Sequence, residues 1–209
     1  MSEKPAEDTE LVERCKRGDR EAYDELMRRH QDRVFNVVYR CVGNREDASD
    51  IAQEVFIRAF RAMRSFQGQA AVTTWLHRIA INEVINHRRR AGAKRKIRTV
   101  PIERDNPDSE GHGANDPPDT SAEPSKIMAE KEHEQLIQDA IDSLDDEHRT
   151  VVVLKDIEGH RYEEIAEIIG CPRGTVKSRL HRARLELRDK LKPLLEVPEP
   201  RTAEAGETG

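Results

Sequence analysis

One stretch near the middle of the chain constrains the fold most, because it is unable to join a packed core. It runs from Val100 to Ser125 and reads VPIERDNPDSEGHGANDPPDTSAEPS, with almost no large apolar residue after Ile102. This composition buries too little surface to offset the conformational entropy that folding would cost. The sequence therefore predicts two small domains at 8–98 and 126–196, a flexible acidic linker at 99–125 and a disordered tail at 197–209.

Apolar residues on both sides of the linker recur at three- and four-residue spacing, and no segment alternates as a strand would. Aromatic residues make up 4% of the chain and charged residues 37%, which favours slim helical bundles over a thick core. The predicted fold class is all-α. The helices expected in the first half are roughly Thr9–Arg17, Arg20–Val42, Arg45–Met63 and Thr73–Arg90, with breaks at Gly18, Gly43 and Gly68.

The third of these helices combines an apolar stripe with an acidic face. The stripe consists of Ala52, Val55, Phe56, Ala59, Phe60 and Met63, and it is expected to be buried. Four polar residues point elsewhere, namely Asp47, Asp50, Gln53 and Glu54. If Asn44 caps the helix, capping and the helix dipole explain part of the acidity near Asp47 without any partner.

The second half carries the clearest local pattern. An opening helix with Leu136, Ile137, Ala140, Ile141 and Leu144 precedes a second helix from about Asp145 to Ile157. Two further stripes follow, Tyr162, Ile165, Ala166 and Ile169, then Val176, Leu180, Ala183, Leu187 and Leu191, with a turn at Gly170–Pro172 between them. This spacing predicts a helix-turn-helix.

The residues off the last stripe have the chemistry that DNA recognition needs. They include Arg173, Lys177, Ser178, His181 and Arg182. Arginine and lysine bond guanine in the major groove, and amide groups at a helix start hold phosphate. A charged helix face is usually only a solvated face, but here the preceding helix and turn favour DNA binding.

A second basic stretch, from Asn86 to Arg98, is a weaker candidate for DNA contact, because basic C-terminal turns also suit the helix dipole. Before it lies a small polar loop, Phe66 to Thr74, that could hold an unstacked base with help from Asn82 and Asn86. Trp75, which follows this loop, is expected to belong to the core.

Several features are not found in the sequence. The polar N-terminus and the absence of an apolar run of about 20 residues predict neither a signal peptide nor a membrane span, and hence a cytoplasmic protein. Cys15, Cys41 and Cys171 show no metal-binding spacing and are expected to be reduced, structural thiols. We predict no catalytic residue, no metal and no cofactor.

Taken together, these segments resemble the extracytoplasmic-function sigma factors of the sigma-70 family over nearly the whole chain. LVERCKRGDREAYDELMRRH resembles the family's opening helices, and EDASDIAQEVFIRAFRAM resembles its polymerase-binding helix. SFQGQAAVTTWLHRIAINEVINHRRR resembles the loop and helix for the promoter minus-10 element. DDEHRTVVVLKDIEGHRYEEIAEIIGCPRGTVKSRLHRARLEL resembles the minus-35 reader of region 4.

The resemblance implies a specificity subunit that binds core RNA polymerase, recognises promoter DNA and aids its melting. It assigns polymerase binding, on the clamp helices of the largest subunit, to Asp47, Asp50, Gln53 and Glu54. It assigns the minus-10 element to Gly68, Thr74, His77, Asn82, Asn86, Arg88 and Arg89, and the minus-35 element to Arg173, Thr175, Lys177, Ser178, His181 and Arg182. It also implies an inhibitory anti-sigma partner, often at the membrane. Gln69, Val72 and His181 depart from residues common in the family, which leaves the preferred bases open.

Two alternatives are kept. A stand-alone helix-turn-helix regulator would explain the second half but leaves the acidic helix face and the loop before Trp75 unused. A metal-dependent phosphoesterase could place Asp47, Asp50 and Glu54 on a cation, but no further motif of such a site is present.

Overall fold

The computed structural model describes residues 5–97 and 134–195, which we name the N-terminal half and the C-terminal half. Within these two ranges the chain is helical and contains no strand, so the all-α prediction is confirmed. The predicted linker and tail lie outside the described residues, and the domain bounds stay a prediction. The helices are α1 Pro5–Lys16, α2 Arg20–Val42, α3 Arg45–Ala62, α4 Val72–Ile97, α5 at 134–142, α6 Asp146–Val152, α7 Tyr162–Ile169 and α8 Arg173–Leu195.

Local signals set the helix ends in the N-terminal half. Asp19 caps α2 by accepting a hydrogen bond from the amide of Ala22 at 3.1 Å. Gly43 ends α2 with φ of +79°, a conformation that favours glycine. Asn44 then caps α3 through the amide of Asp47 at 2.9 Å, as the sequence predicted. A short 3₁₀ turn, Met63–Ser65, follows α3.

The core of the N-terminal half is formed by α1, α2, α3 and α4 packing together. The predicted stripe of α3 is buried with one exception: Phe60 was expected in the core but is 52% exposed. Its ring lies at the edge of the stripe and packs edge-on against Tyr23, with the ring centroids 4.9 Å apart. Ile57 is also exposed, so α3 presents two large apolar side chains to solvent.

In the C-terminal half, a π-helical turn at Val153–Ile157 extends α6, and α7 and α8 form the predicted helix-turn-helix. Gly170 ends α7 with φ of +73° and lets the chain reverse into α8. The predicted stripe of α5 is only partly correct. Leu136 and Ile137 are exposed, whereas Gln138 is buried and accepts a hydrogen bond from Arg40 of α2 at 3.0 Å.

The two halves are in direct contact. α7 packs against α4, while α6 and the π-helical turn pack against α2, so one apolar core runs through both halves. Polar groups reinforce this contact at the C-terminal end of α2. Arg149 of α6 donates to the carbonyl oxygen of Cys41 at 2.9 Å, where the helix dipole favours a cation.

Candidate DNA and polymerase interfaces

The first candidate surface is the outer face of α8, which we name the recognition face. Val176, Leu180 and Ala183 anchor the opposite side of α8 in the core. This anchoring turns the predicted side chains outward because residues off the apolar stripe of an amphipathic helix face solvent. Of the predicted minus-35 residues, Arg173, Lys177, Ser178, His181 and Arg182 are exposed and Thr175 is half-buried. The structure brings all six together over the first three turns of α8.

Ion pairs hold the basic residues at the margins of the recognition face. Arg173 pairs with Glu163 at 2.7 Å, and Arg179 pairs with Glu147 at 2.6 Å. Lys177 places its ammonium 5.7 Å from the ring centre of Tyr162, within cation–π range. Within the described ranges, neither His181 nor Arg182 has an ion pair or a hydrogen bond. These two side chains are therefore free to meet an external acceptor.

The second candidate surface is the minus-10 face, made by Gly68, Thr74, His77, Asn82, Asn86, Arg88 and Arg89. Gly68 lies exposed in the loop before α4 with φ of +70°. The loop borders a cavity of about 1090 Å³, which Asp8, Lys16 and Arg33 also line. Val72, expected in the loop, begins α4 one residue before the predicted start at Thr73. Trp75 is half-buried and packs on Phe66 with ring centroids 4.8 Å apart, in agreement with a core role.

The structure divides the minus-10 face into accessible and covered residues. Asn82 and Arg89 are exposed, and Asn86 is half-buried with its amide 3.3 Å from a carboxylate oxygen of Glu83. His77 is buried against His160 of the C-terminal half, and Thr74 is buried beside a cavity that Glu167 and Ile168 of α7 also line. Arg88 donates to the carbonyl oxygen of Cys41 and pairs with Asp146 at 3.0 Å. In this arrangement only part of the face can meet DNA.

The third candidate surface is the docking face, made by Asp47, Asp50, Gln53 and Glu54 of α3. Asp50 and Gln53 are exposed, and the side chains of Asp47 and Glu54 are nearly half exposed. The guanidinium of Arg58 ties Glu54 to the buried Glu83 of α4, with both distances at 2.9 Å. The sequence reasoning missed two neighbours of this face, the exposed Ile57 and Phe60. Of the two, Ile57 could have been found from the sequence, because it is a large apolar residue that lies off the predicted buried stripe.

One group within the described residues has the ligand types and spacing to hold a divalent cation. His148 Nδ1 lies 3.1 Å from a carboxylate oxygen of Asp145 and 3.0 Å from one of Glu186. No cation is needed to explain the group, because Asp145 caps α6 through the amide of His148 and a protonated imidazole would pair with both acids. Asp47, Asp50 and Glu54 do not form such a group in the described ranges.

The three cysteines carry free thiols, with Cys15 and Cys41 buried and Cys171 half-buried. Burial raises the pKa of the Cys41 thiol to about 12, so this thiol is un-ionised and unreactive at neutral pH. No helix in residues 5–97 and 134–195 is long and apolar enough to cross a bilayer.

Comparisons with known proteins agree on one family. A model of sigma-70 region 2 matches residues 26–94, and a model of sigma-70 region 4 matches residues 134–187. The RNA polymerase sigma-H factor of Pseudomonas aeruginosa is 38% identical over 90% of this chain and 96% of its own length. An extracytoplasmic-function sigma-E factor of Escherichia coli K12 is 38% identical over the same shares.

Solved structures resemble the fold. The sigma factor RpoE of Bartonella quintana, in complex with the anti-sigma factor NepR, gives a TM-score of 0.63 at 24% identity and covers 81% of this chain and 96% of that one. CnrH in complex with the cytosolic domain of CnrY gives 0.60 at 22% identity and covers 90% and 98%.

A region 2 bundle followed by a region 4 helix-turn-helix defines a sigma-type subunit, a class that binds core RNA polymerase and promoter DNA. The chain belongs to the extracytoplasmic-function sigma factors of the sigma-70 family. It acts in promoter-specific initiation of transcription. The family is one of promoter-recognition subunits and is generally not catalytic.

Proposed function

We propose that the three surfaces divide the work of initiation, so that α3 docks on core polymerase, α4 and its preceding loop bind the minus-10 element, and α8 reads the minus-35 element. The observation that carries this proposal is one chain presenting an acidic exposed helix face and a basic exposed recognition helix in separate halves. The chain works through binding energy alone, has no catalytic site of its own and acts in the cytoplasm, where core polymerase and promoters are found.

The docking face is proposed to meet the basic clamp helices of the largest polymerase subunit. Its carboxylates supply charge complementarity, which steers association, while Ile57 and Phe60 supply apolar area that an exposed helix face does not otherwise need. Because Arg58 neutralises part of Glu54, we expect Asp50 to carry more of the electrostatic contact.

At the promoter, we propose two kinds of contact. On α8, Arg182 and Lys177 bond base edges while Arg173 and Thr175 hold phosphates near the helix start. On α4, Asn82 and Asn86 offer amide groups to the melting strand, while a base that leaves this strand enters the cavity beside Gly68. Melting is driven by contacts with unstacked bases.

An anti-sigma factor is the proposed inhibitor of this chain, supported by the solved structure of the sigma factor RpoE in complex with the anti-sigma factor NepR. The surfaces to be hidden would be the docking face and the recognition face. A membrane-anchored inhibitor would hold the chain at the inner membrane.

Transcription in vitro tests the proposal. Purified protein is added to bacterial core polymerase on a library of upstream regions, and RNA start sites are sequenced. We expect starts that need the protein and share two spaced motifs. DNA binding without core-dependent initiation would instead favour the stand-alone regulator.

A further inference from the structure

Residues assigned to the minus-10 face take part in contacts that hold the two halves together. The His77 side chain is fully buried, and its Nδ1 lies 2.6 Å from Nε2 of His160, which comes from the C-terminal half. Arg88 pairs with Asp146 of α6 at 3.0 Å. Thr74 is buried and borders a cavity that Glu167 and Ile168 of α7 also line. The C-terminal half therefore occupies the place where DNA would have to bind.

In this arrangement α4 and α8 lie too close together to contact both promoter elements at once. α7 packs against both α4 and α8, so the axes of α4 and α8 lie within two helix-packing distances, about 20 Å. Elements near positions −10 and −35 are about 25 base pairs apart, which is about 85 Å along B-form DNA at about 3.4 Å per base pair. One molecule reaches both elements only after its halves separate.

We propose that this structure is a closed, self-inhibited state in which the C-terminal half covers the minus-10 face, and that protonation at the His77–His160 contact opens it. The inference rests on the proposed function, because it concerns the regulation of the same DNA-binding face. The segment that covers the minus-10 face is the C-terminal half of this chain, and the ligand that opens the contact is a proton.

The contact itself explains the sensitivity to protons. At 2.6 Å one imidazole nitrogen donates and the other accepts, so the pair holds a single shared hydrogen. Protonating the acceptor would set two N–H groups against each other in a buried site. Burial accordingly lowers the pKa of His77 to about 3 and lowers the pKa of His160 as well.

The groups around the pair come from three elements. From α2, His30 and Arg33 face His77, and both disfavour a second positive charge there. Lys155, in the π-helical turn, donates to the carbonyl oxygen of His160 at 3.0 Å. One acid opposes this trend, since Glu164 of α7 lies 3.6 Å from His160 Nδ1 and favours its protonation.

Glu158 is a second acid in this region, and its ion pair with Arg33 allows the closed state to be tested. It follows the π-helical turn, is 8% exposed and lies 3.5 Å from Arg33 across the contact between the halves. Burial raises its pKa, so this carboxylate depends on Arg33 to stay charged in the closed state.

The direction of the pH effect follows from the lowered pKa values. Both histidines bind protons more weakly in the closed state than in the open one, where a pKa near the ordinary value of about 6.5 returns. The closed state is therefore fully favoured above about pH 6.5 and is weakened as the pH falls below that value. Between pH 7.5 and 5.5 the ratio of closed to open chains is expected to fall about tenfold through His77 and further through His160, whose pKa is also lowered.

Energy transfer between dyes measures the opening in the full chain. Unnatural amino acids carry the dyes at Arg64 in the N-terminal half and Arg188 in the C-terminal half, both exposed. We expect efficient transfer at pH 7.5 and a loss of transfer at pH 5.5. His160→Gln keeps a hydrogen-bonding side chain but removes one titrating group, so the change in the ratio of closed to open chains between the two pH values should become smaller. Transfer that is unchanged between the two pH values would overturn the proton switch.

A charge reversal tests the closed state separately from protons. Glu158→Arg sets two guanidinium groups against each other, and at pH 7.5 it should lower energy transfer and expose His77 to modification by diethyl pyrocarbonate. The double variant Arg33→Glu, Glu158→Arg restores the opposite charges and should restore both signals. His181, exposed in this structure, serves as the internal reference for the reagent. Equal modification of His77 in the wild type and Glu158→Arg would overturn the closed state.

These readouts need neither polymerase nor a promoter. If they fail while core-dependent initiation succeeds, the closed state is wrong and the proposed function stands. If they succeed while initiation fails, the two halves close on one another for a purpose other than promoter recognition.

Discussion

At the scale of single residues, buried polar groups give this chain much of its specificity. The Tyr23 hydroxyl is buried and donates to the carbonyl oxygen of Phe56 at 2.5 Å, which joins α2 to α3. Burial raises the pKa of Tyr23, so the hydroxyl stays protonated as a donor. This hydrogen bond gives a carbonyl inside α3 an additional donor from a neighbouring helix.

Tyr23→Phe should lower the free energy of unfolding by about 1–2 kcal/mol, because it removes this donor and leaves the Phe56 carbonyl without it. Urea unfolding followed by circular dichroism measures the change. Tyr39→Phe is the matched control, since within the described residues the Tyr39 hydroxyl has no hydrogen bond, and it should change stability by less than about 0.5 kcal/mol. Equal losses in the two variants would show that the hydrogen bond is not the cause.

Arg182 is the residue from which we expect base recognition. Arg182→Ala should weaken binding to the cognate minus-35 duplex by about 1–3 kcal/mol and weaken binding to unrelated DNA much less. Fluorescence anisotropy with both duplexes measures the difference. Arg184→Ala is the control, because the Arg184 guanidinium is held by Asp156. A uniform loss on every sequence would assign Arg182 to a phosphate.

At the scale of secondary-structure elements, helix boundaries were the most predictable part of the fold. Periodicity and the breaks at Gly18 and Gly43 predict the range of α2 as it is observed, Arg20–Val42. Residues at the margins of stripes were not predictable, because spacing alone does not say how far the core extends. Phe60 and Ile137 have the right spacing but remain about half exposed, whereas Gln138 is buried because Arg40 provides a partner.

The docking face yields a prediction at this scale. Asp50→Lys with Glu54→Lys should abolish binding to core polymerase while the helical circular dichroism spectrum and the melting temperature change little, because both side chains lie on the outer face of α3. Pull-down with core polymerase measures binding.

Asp24→Lys with Asp32→Lys makes the same change in net charge on the exposed surface of α2 and should leave that binding intact. Unchanged binding by the α3 variant, or equal loss in both variants, would remove the docking role.

At the scale of the whole molecule, the contact between the halves was beyond sequence reasoning. The linker composition implied independent domains, and no spacing rule relates His77 to His160 or Arg88 to Asp146. Motifs predict which residues contact DNA, and that list stays a prediction, but the burial of His77 against His160 depends on how the second half packs. That packing is determined by shape and charge across a tertiary contact, which local patterns do not encode.

One core through both halves predicts cooperative unfolding. Calorimetry of the full chain at pH 7.5 should show one transition, because separating the halves exposes apolar surface on α4 and α7 together. In Glu158→Arg the two halves should melt separately and the transition should broaden or split. Two resolved transitions in the wild type would mean that the contact between the halves contributes little to stability.

The pairing of Arg88 with Asp146 has a consequence for ionic strength. In the closed chain the exposed carboxylate of Asp146, in the C-terminal half, is an internal counter-ion for Arg88, which we propose to meet a DNA phosphate in the open chain. A protein contact normally displaces one condensed salt ion per phosphate from DNA, and the affinity falls with salt accordingly. At Arg88 the charge freed from the protein stays tethered to the chain. When the two halves separate, a DNA phosphate therefore replaces Asp146 as the partner of Arg88. Because Asp146 remains on the same chain, it competes with DNA for Arg88 at every salt concentration.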